Sequence, residues 1–421
     1  MTSPMPALLG CIADDYTGAT DVASALRRSG LPVALYFGVP EPGTPAPADG
    51  AVIIALKSRT AAVSEAVEQS LGAHAWLREA GVGQVYLKYC STFDSTPLGN
   101  IGPVADALLE VTGAAVTVVC PASPGNGRTV SRGRLFVNGV PLDESPMRDH
   151  PLTPMRDSDL ARLLRPQTRH EVGLVDHATV RRGAGAVRQA LDDLTSSGVR
   201  HAVVDAVDDT DLEVIAQGSA HLPLLTGAAG LTWGVGRLLA GEHGTSAVSR
   251  KPEAVGGTAV LAGSCSAMTL RQIEHARAHM PAYRLDPRGL ARDSAVAEVL
   301  EWIDAHADSE PVLVYSSAPP EELRAVQDEV GVGRGASLVE SAMGRIARHL
   351  VERGVRRLVV AGGETSGATV SALSVRGVDV GDEVDPGVCW VFPHEYPDLA
   401  LLLKSGNFGG PDLFTRSLEE A

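Results

Sequence analysis

The sequence predicts an α/β fold in two domains, each a mostly parallel sheet flanked by helices. Three observations carry this expectation. Short apolar runs alternate with helical patterns along the 421 residues, the order that a parallel sheet with crossover helices requires. The length exceeds what one ordinary core supports and points to two domains. Residues 241–257 lack apolar periodicity and carry charged clusters, glycines and a proline, so they read as a linker between domains at 1–240 and 258–421.

In the first domain, apolar runs of strand length occupy 8–13, 33–37, 51–56, 84–88, 115–120, 172–175, 201–205 and 222–226. Such continuous runs fit strands buried on both faces. Helical patterns lie between them at 62–80, 103–112, 157–164, 184–197 and 229–240. The second domain repeats the alternation, with strands expected at 258–262, 282–285, 311–316, 357–361, 388–392 and 399–403. Its helices are expected at 267–280, 291–306, 320–330, 336–353 and 366–373.

Composition narrows the chemistry. With 44% hydrophobic and 21% charged residues the chain reads as a globular enzyme. Its net charge of −15 argues against a nucleic-acid partner or an anionic membrane surface. Cys11, Cys90, Cys120, Cys265 and Cys389 are odd in number and lack CxxC spacing, so neither a disulfide framework nor a zinc site is expected. With no signal-like N-terminus and no run of 18 apolar residues, a cytoplasmic location is expected. No HExxH spacing occurs among the histidines. Lysine is confined to Lys57, Lys88, Lys251 and Lys404, and arginine supplies every other basic residue, so each lysine marks a place where a compact point charge could matter.

The polar residues gather where strands end. The first strand stops on Asp14 and Asp15, followed by Thr17, Gly18 and Asp21. Lys57 and Arg59 follow another strand, Lys88, Asp94 and Ser95 a third, and Asn126 and Arg128 lie in a turn-rich stretch after a fourth. In an open parallel sheet these ends share one edge, which suits a small anionic substrate beside acids able to activate a hydroxyl or bind Mg²⁺. In the second domain, three glycine turns follow strands: Gly263–Ser264, Gly362–Gly363–Glu364–Thr365–Ser366 and Ser405–Gly406–Asn407. Paired glycines and a helix start favour phosphate, with Thr365 or Ser366 expected to cap the helix. Neither GxxxxGK[ST] nor GxGxxG occurs, so any nucleotide site is neither a Walker loop nor a standard dinucleotide fold.

The segments ADDYTGATDVA (13–23), KYCSTFDST (88–96), GNIGP (99–103), CPASPGNGRT (120–129), GGETSGA (362–368) and KSGNFGG (404–410) together resemble the four-carbon acid sugar kinase family. The resemblance runs in order over nearly the whole chain, and KYCSTFDST is closest to the 3-oxo-tetronate branch rather than to the D-threonate or D-erythronate kinases. It implies a sugar-acid-binding N-terminal domain, a nucleotide-binding C-terminal domain, and an active site in the cleft between them. It further implies phosphorylation by ATP with Mg²⁺ of the terminal hydroxyl of a four-carbon acid. ATP contacts carry over to Ser264, to Gly362, Gly363, Glu364, Thr365 and Ser366, and to Gly406. Motif and strand-end position together place the substrate at Asp14, Arg59, Lys88, Asp94, Ser95 and Asn126. Asp14 is the first choice of base and Asp15 the second, with Arg59 and Lys88 expected to pair with the substrate carboxylate. The partners implied are the sugar acid and ATP, with no nucleic acid or membrane, and a homo-oligomer left open. Two rivals stand beside this reading. A phosphatase with a nucleophilic aspartate would want a second acid where Thr17 stands, and a sugar-acid sensor would need no nucleotide.

Overall fold

The computed structural model describes residues 9–419 apart from 48, 151–152, 245–247, 254, 293 and 308–309. The chain divides into two compact units, Met1–Val248 and Ser249–Ala421. The first unit contains strands β1 (Leu9–Ala13), β2 (Val33–Phe37), β3 (Ala51–Ala55), β4 (Val85–Lys88), β5 (Thr117–Cys120), β6 (Arg128–Ser131), β7 (Arg134–Val137), β8 (Val140–Pro141), β9 (Glu171–Val175), β10 (Val199–Val204) and β11 (Leu224–Gly227). Its main sheet runs β2-β3-β1-β4-β11-β5-β10-β9, with every neighbouring pair parallel. β1 and β3 are buried at every residue, as strands covered by helices on both faces must be. The chain leaves β1 for β2 and β3 on one side, then crosses to β4 on the other. The strand order therefore reverses between β1 and β4, where open α/β sheets place their ligands.

The second unit contains β12 (Gly257–Ala262), β13 (Ala282–Arg284), β14 (Val312–Tyr315), β15 (Val355–Ala361), β16 (Gly377–Asp385), β17 (Val388–Pro393) and β18 (Ala400–Lys404). These run β13-β14-β12-β15-β18-β17-β16. The first five positions are parallel, while β17 is antiparallel to both its neighbours. The order reverses between β12 and β15. Helices Ala267–Ala276 and Leu413–Glu419 cover a core that includes Val260, Leu313, Val359, Trp390, Leu402 and Phe414. Each such large apolar side chain, fully buried, contributes about 1.5–3 kcal/mol.

Several local expectations are corrected. The turn-rich stretch holding Asn126 and Arg128 runs on into strands, residues 128–141 forming the antiparallel sheet β6-β7-β8. Asp205 holds it to the end of β10 by accepting from the N–H groups of Arg132 (2.7 Å) and Gly133 (2.8 Å). The helix expected at 157–164 begins only at Leu160, because Asp159 caps it by accepting from Arg162 N–H. The helix expected at 366–373 spans Gly363–Ala372 with Gly362 as its N-cap and no side-chain cap bond, so Thr365 and Ser366 lie inside its first turn. Among the described residues no helix is long and apolar enough to cross a membrane, and none of the five cysteines is in a disulfide.

Candidate active site

The three strand ends beside the first switch point are stitched together through the backbone of Asp14. Its N–H donates to the Lys88 carbonyl (3.0 Å), and its carbonyl accepts from the N–H groups of Ser58 (3.0 Å) and Arg59 (3.1 Å). The strands are in register there, Ala13 lying beside both Ala55 and Lys88. This arrangement delivers the Arg59 side chain to the acids. Its Nε donates to Asp14 Oδ2 (2.8 Å), and its Nη2 donates to Asp14 Oδ1 (2.8 Å) and Asp15 Oδ1 (2.6 Å). Asp15 Oδ1 also caps helix Tyr16–Arg28 by accepting from Gly18 N–H at 2.9 Å.

Lys88 is 3% exposed and forms no ion pair among the described residues. Its ammonium lies beside the start of that helix: a Cβ on Gly18 would fall 2.6 Å from Lys88 Nζ and 2.3 Å from Asp15 Oδ1. A larger residue here would have to displace both side chains, so the glycine makes room rather than supplying backbone freedom.

The two acids titrate differently. Burial pushes the Asp14 carboxyl up, but the charge and hydrogen bonds of Arg59, aided by Lys88, outweigh it and hold Asp14 below the usual carboxylate range. For Asp15, burial again comes first; Arg59 and Lys88 pull downward, the neighbouring Asp14 charge pushes upward, and the carboxyl is held above its ordinary value. Burial likewise raises Asp21, against the pull of Lys88.

A small recess, partly open to solvent, is lined by residues including Asp14, Arg59, Tyr89, Asp94, Ser95 and Asn100. Asp94 accepts from Thr92 Oγ1 (2.6 Å), and Ser95 Oγ donates to Gln167 Oε1 (3.2 Å). Asn126 is not among the lining residues; its side chain donates to Ser123 Oγ in its own turn. Lys57 is exposed and lies 5.0 Å over the Tyr16 ring.

Asn100 escaped the sequence reading as a site residue. Its Nδ2 donates to the carbonyls of Ser58 (2.7 Å) and Ala61 (3.0 Å), pinning the Arg59 loop, while its buried Oδ1 has no partner among the described residues. Its place in the GNIGP helix start was the available signal.

In the second unit the three glycine turns meet. Gly362 N–H donates to the Lys404 carbonyl (2.9 Å), and Ser264 N–H donates to the Ala361 carbonyl (3.2 Å). A Cβ on Gly406 would fall 2.4 Å from Ser264 Oγ, and one on Gly263 would fall 2.1 Å from Thr365 Oγ1. Ser264, Gly362, Thr365 and Gly406 therefore crowd one spot, and Gly363 and Glu364 open the helix beside it. Ser366 Oγ is buried with no partner among the described residues, a polar atom in want of a ligand.

Fold and site define a class: an α/β protein of two units, with an acid and base cluster at the switch point of one sheet and a cradle of glycine turns at that of the other. Residues 9–235 match the sugar-binding N-terminal domain family and residues 259–414 the nucleotide-binding C-terminal domain family. The chain belongs to the four-carbon acid sugar kinase family. It is 48% identical to the 3-oxo-tetronate kinase of Pseudomonas fluorescens, over 99% of this chain and 98% of the relative. It is 50% identical to that of Methylobacterium radiotolerans, over 99% of each. The crystal structure of a Haemophilus influenzae protein superposes with a TM-score of 0.84 at 43% identity, covering 98% of this chain and 99% of that one. A Salmonella typhimurium structure, provisionally named a tRNA synthase, gives 0.90 at 40% identity, covering 97% and 98%.

Proposed function

We propose that the chain is an ATP-dependent kinase that phosphorylates the C4 hydroxyl of 3-oxo-tetronate. The observation that carries this reading is similarity over nearly the full length, at 44–50% identity, to proteins named 3-oxo-tetronate kinase. The net charge of −15 speaks against a role on tRNA.

In this reading the sugar acid occupies the recess beside Asp14 and Arg59. Asp15 accepts the proton of the C4 hydroxyl, the hydroxyl oxygen bonds to the γ-phosphorus, and the bond from that phosphorus to the β–γ bridging oxygen breaks to release ADP. The geometry favours Asp15 over Asp14 as base. Both oxygens of Asp14 are held in the Arg59 fork, whereas Asp15 is more exposed, 28% against 13% for the side chain, and has the raised carboxyl. Asp14 then serves to hold Arg59. The remaining Nη1 edge of Arg59 and the Lys88 charge favour the substrate carboxylate, and Asn100 Oδ1 is placed to accept from a substrate hydroxyl.

ATP fits the glycine cradle on the chemistry of its lining: turns where a side chain would collide, a helix start, and the orphaned Ser366 hydroxyl. For Mg²⁺, the described residues offer no group of three or more His, Cys, Asp or Glu, and no protein ligands are assigned to it. When bound to the nucleotide it neutralises phosphate charge. Because sugar acid and nucleotide are assigned to different units, transfer requires the two to be brought within reach as the ligands bind.

A coupled assay of ADP release over a panel of tetronates and 3-oxo-tetronates tests the reading. The expected outcome is ATP-dependent turnover with highest kcat/KM for a 3-oxo-tetronate. Preference for D-threonate or D-erythronate would move the chain to another branch, and phosphate release from sugar phosphates without ATP would make it a phosphatase.

A further inference from the structure

The carbonyl of Gly406, in the third glycine turn, receives three donors. They are the Ser266 hydroxyl, the Thr269 hydroxyl at 2.9 Å and the Lys404 ammonium at 3.0 Å. Lys404 is 1% exposed. Its ammonium also donates to Thr269 Oγ1 (3.0 Å) and Gln272 Oε1 (2.8 Å) and lies 5.7 Å over the Phe414 ring. No carboxylate pairs with it among the described residues, and burial lowers its pKa to about 7. A buried ammonium without a counter-ion is costly to fold around, so core packing alone is a poor account of it.

What the ammonium achieves is a fixed peptide. A trans peptide points its carbonyl and its following N–H in opposite directions, and the described chain contains no cis bond. Drawing the Gly406 carbonyl into the interior therefore turns the Asn407 N–H outward. Asn407 is exposed and its N–H makes no backbone hydrogen bond among the described residues. It lies next to Gly406, whose missing Cβ would meet Ser264 Oγ, so this N–H emerges beside the first glycine turn. Three donors on one carbonyl, one of them cationic, also polarise the peptide and strengthen the donor at its other end.

We propose that Lys404 is a positioning residue for the nucleotide: it anchors the Gly406 carbonyl and so aims the Asn407 N–H at an ATP phosphate. This rests on the reading of the second unit as the nucleotide site.

The test is binding of a fluorescent ATP analogue, with ATP competing, to wild type and to Lys404→Met, which keeps length and burial but removes the donors. Wild type that fails to bind ATP would sink the nucleotide reading itself. With wild type binding, Lys404→Met is expected to melt at or above the wild-type temperature, since a buried unpaired charge is gone. Its Kd and KM for ATP should rise about tenfold, the weight of one hydrogen bond to a charged phosphate, while KM for the sugar acid stays within about twofold. A folded Lys404→Met with wild-type ATP affinity overturns the proposal. Should it not fold, Ser266→Ala and Thr269→Val remove the other two donors. A several-fold loss of ATP affinity in both then supports the proposal, and unchanged affinity in both overturns it.

Discussion

Arg59 reaches two carboxylates with three hydrogen bonds, and their division decides which acid is free to act. Asp14 takes two of them, one on each oxygen, whereas Asp15 takes one and keeps Oδ2 clear of the fork. A base must hold a proton during the reaction, so the acid whose pKa is raised is the better acceptor. Its rate contribution is lost as pH falls through that raised value, because protonated Asp15 accepts nothing. The pH profile of kcat/KM should therefore show an acid limb above the ordinary aspartate value of about 3.9. Asp15→Asn should lower kcat by about 100-fold or more. Asp14→Asn removes a neighbouring negative charge and frees Arg59 for Asp15, so both effects lower the Asp15 pKa and move the limb to lower pH. Steady-state profiles of the two variants decide this. If Asp14→Asn abolishes turnover while Asp15→Asn keeps a normal limb, the roles are reversed.

At the scale of elements, one buried acid helps to anchor the β6-β7-β8 sheet. Asp205 is fully buried and accepts from the N–H groups of Arg132, Gly133 and His177 at 2.7, 2.8 and 3.0 Å. Arg132 and Gly133 form the turn between β6 and β7 with positive φ of 53° and 70°, a conformation that needs holding. Asp205→Ala leaves three inward donors unpaired and should cost about 3 kcal/mol or more. Denaturant unfolding measures it, and a loss under about 1 kcal/mol would contradict this account of the hairpin.

The same hairpin shows where sequence reasoning reaches its limit. Strands such as Leu9–Ala13 and Ala51–Ala55 are legible because burial on both faces leaves an unbroken apolar run. Arg128–Ser131 and Arg134–Val137 are not, because their arginines and intervening turn residues hide a pairing made by distant contacts. Strand Gly377–Asp385 was likewise missed, since aspartates and a glutamate interrupt its apolar residues. The gathering of Asp14, Asp15 and Arg59 was legible from the strand ends they follow. Asn100 and the partners of Lys404 were not, because their meaning lies in which carbonyls the fold brings to them.

Across the whole molecule one device recurs. Each unit reverses its strand order beside a central parallel strand and places its polar turns there: acids after β1 in the first, glycine turns after β12 and β15 in the second. A net charge of −15 gives no general attraction for anions, so in the proposed function local groups hold the ligands: Arg59 and Lys88 the sugar acid in one unit, and backbone N–H groups, one of them aimed by Lys404, the nucleotide in the other. The central claim is that these two sets serve one transfer from ATP to a C4 hydroxyl. Phosphorus NMR of the purified chain with ATP, Mg²⁺ and 3-oxo-tetronate tests it most directly. The account predicts a new phosphomonoester signal, split by the two C4 methylene protons and growing in step with ADP. ATP consumed to inorganic phosphate alone, or no ester from any four-carbon acid tried, would contradict it.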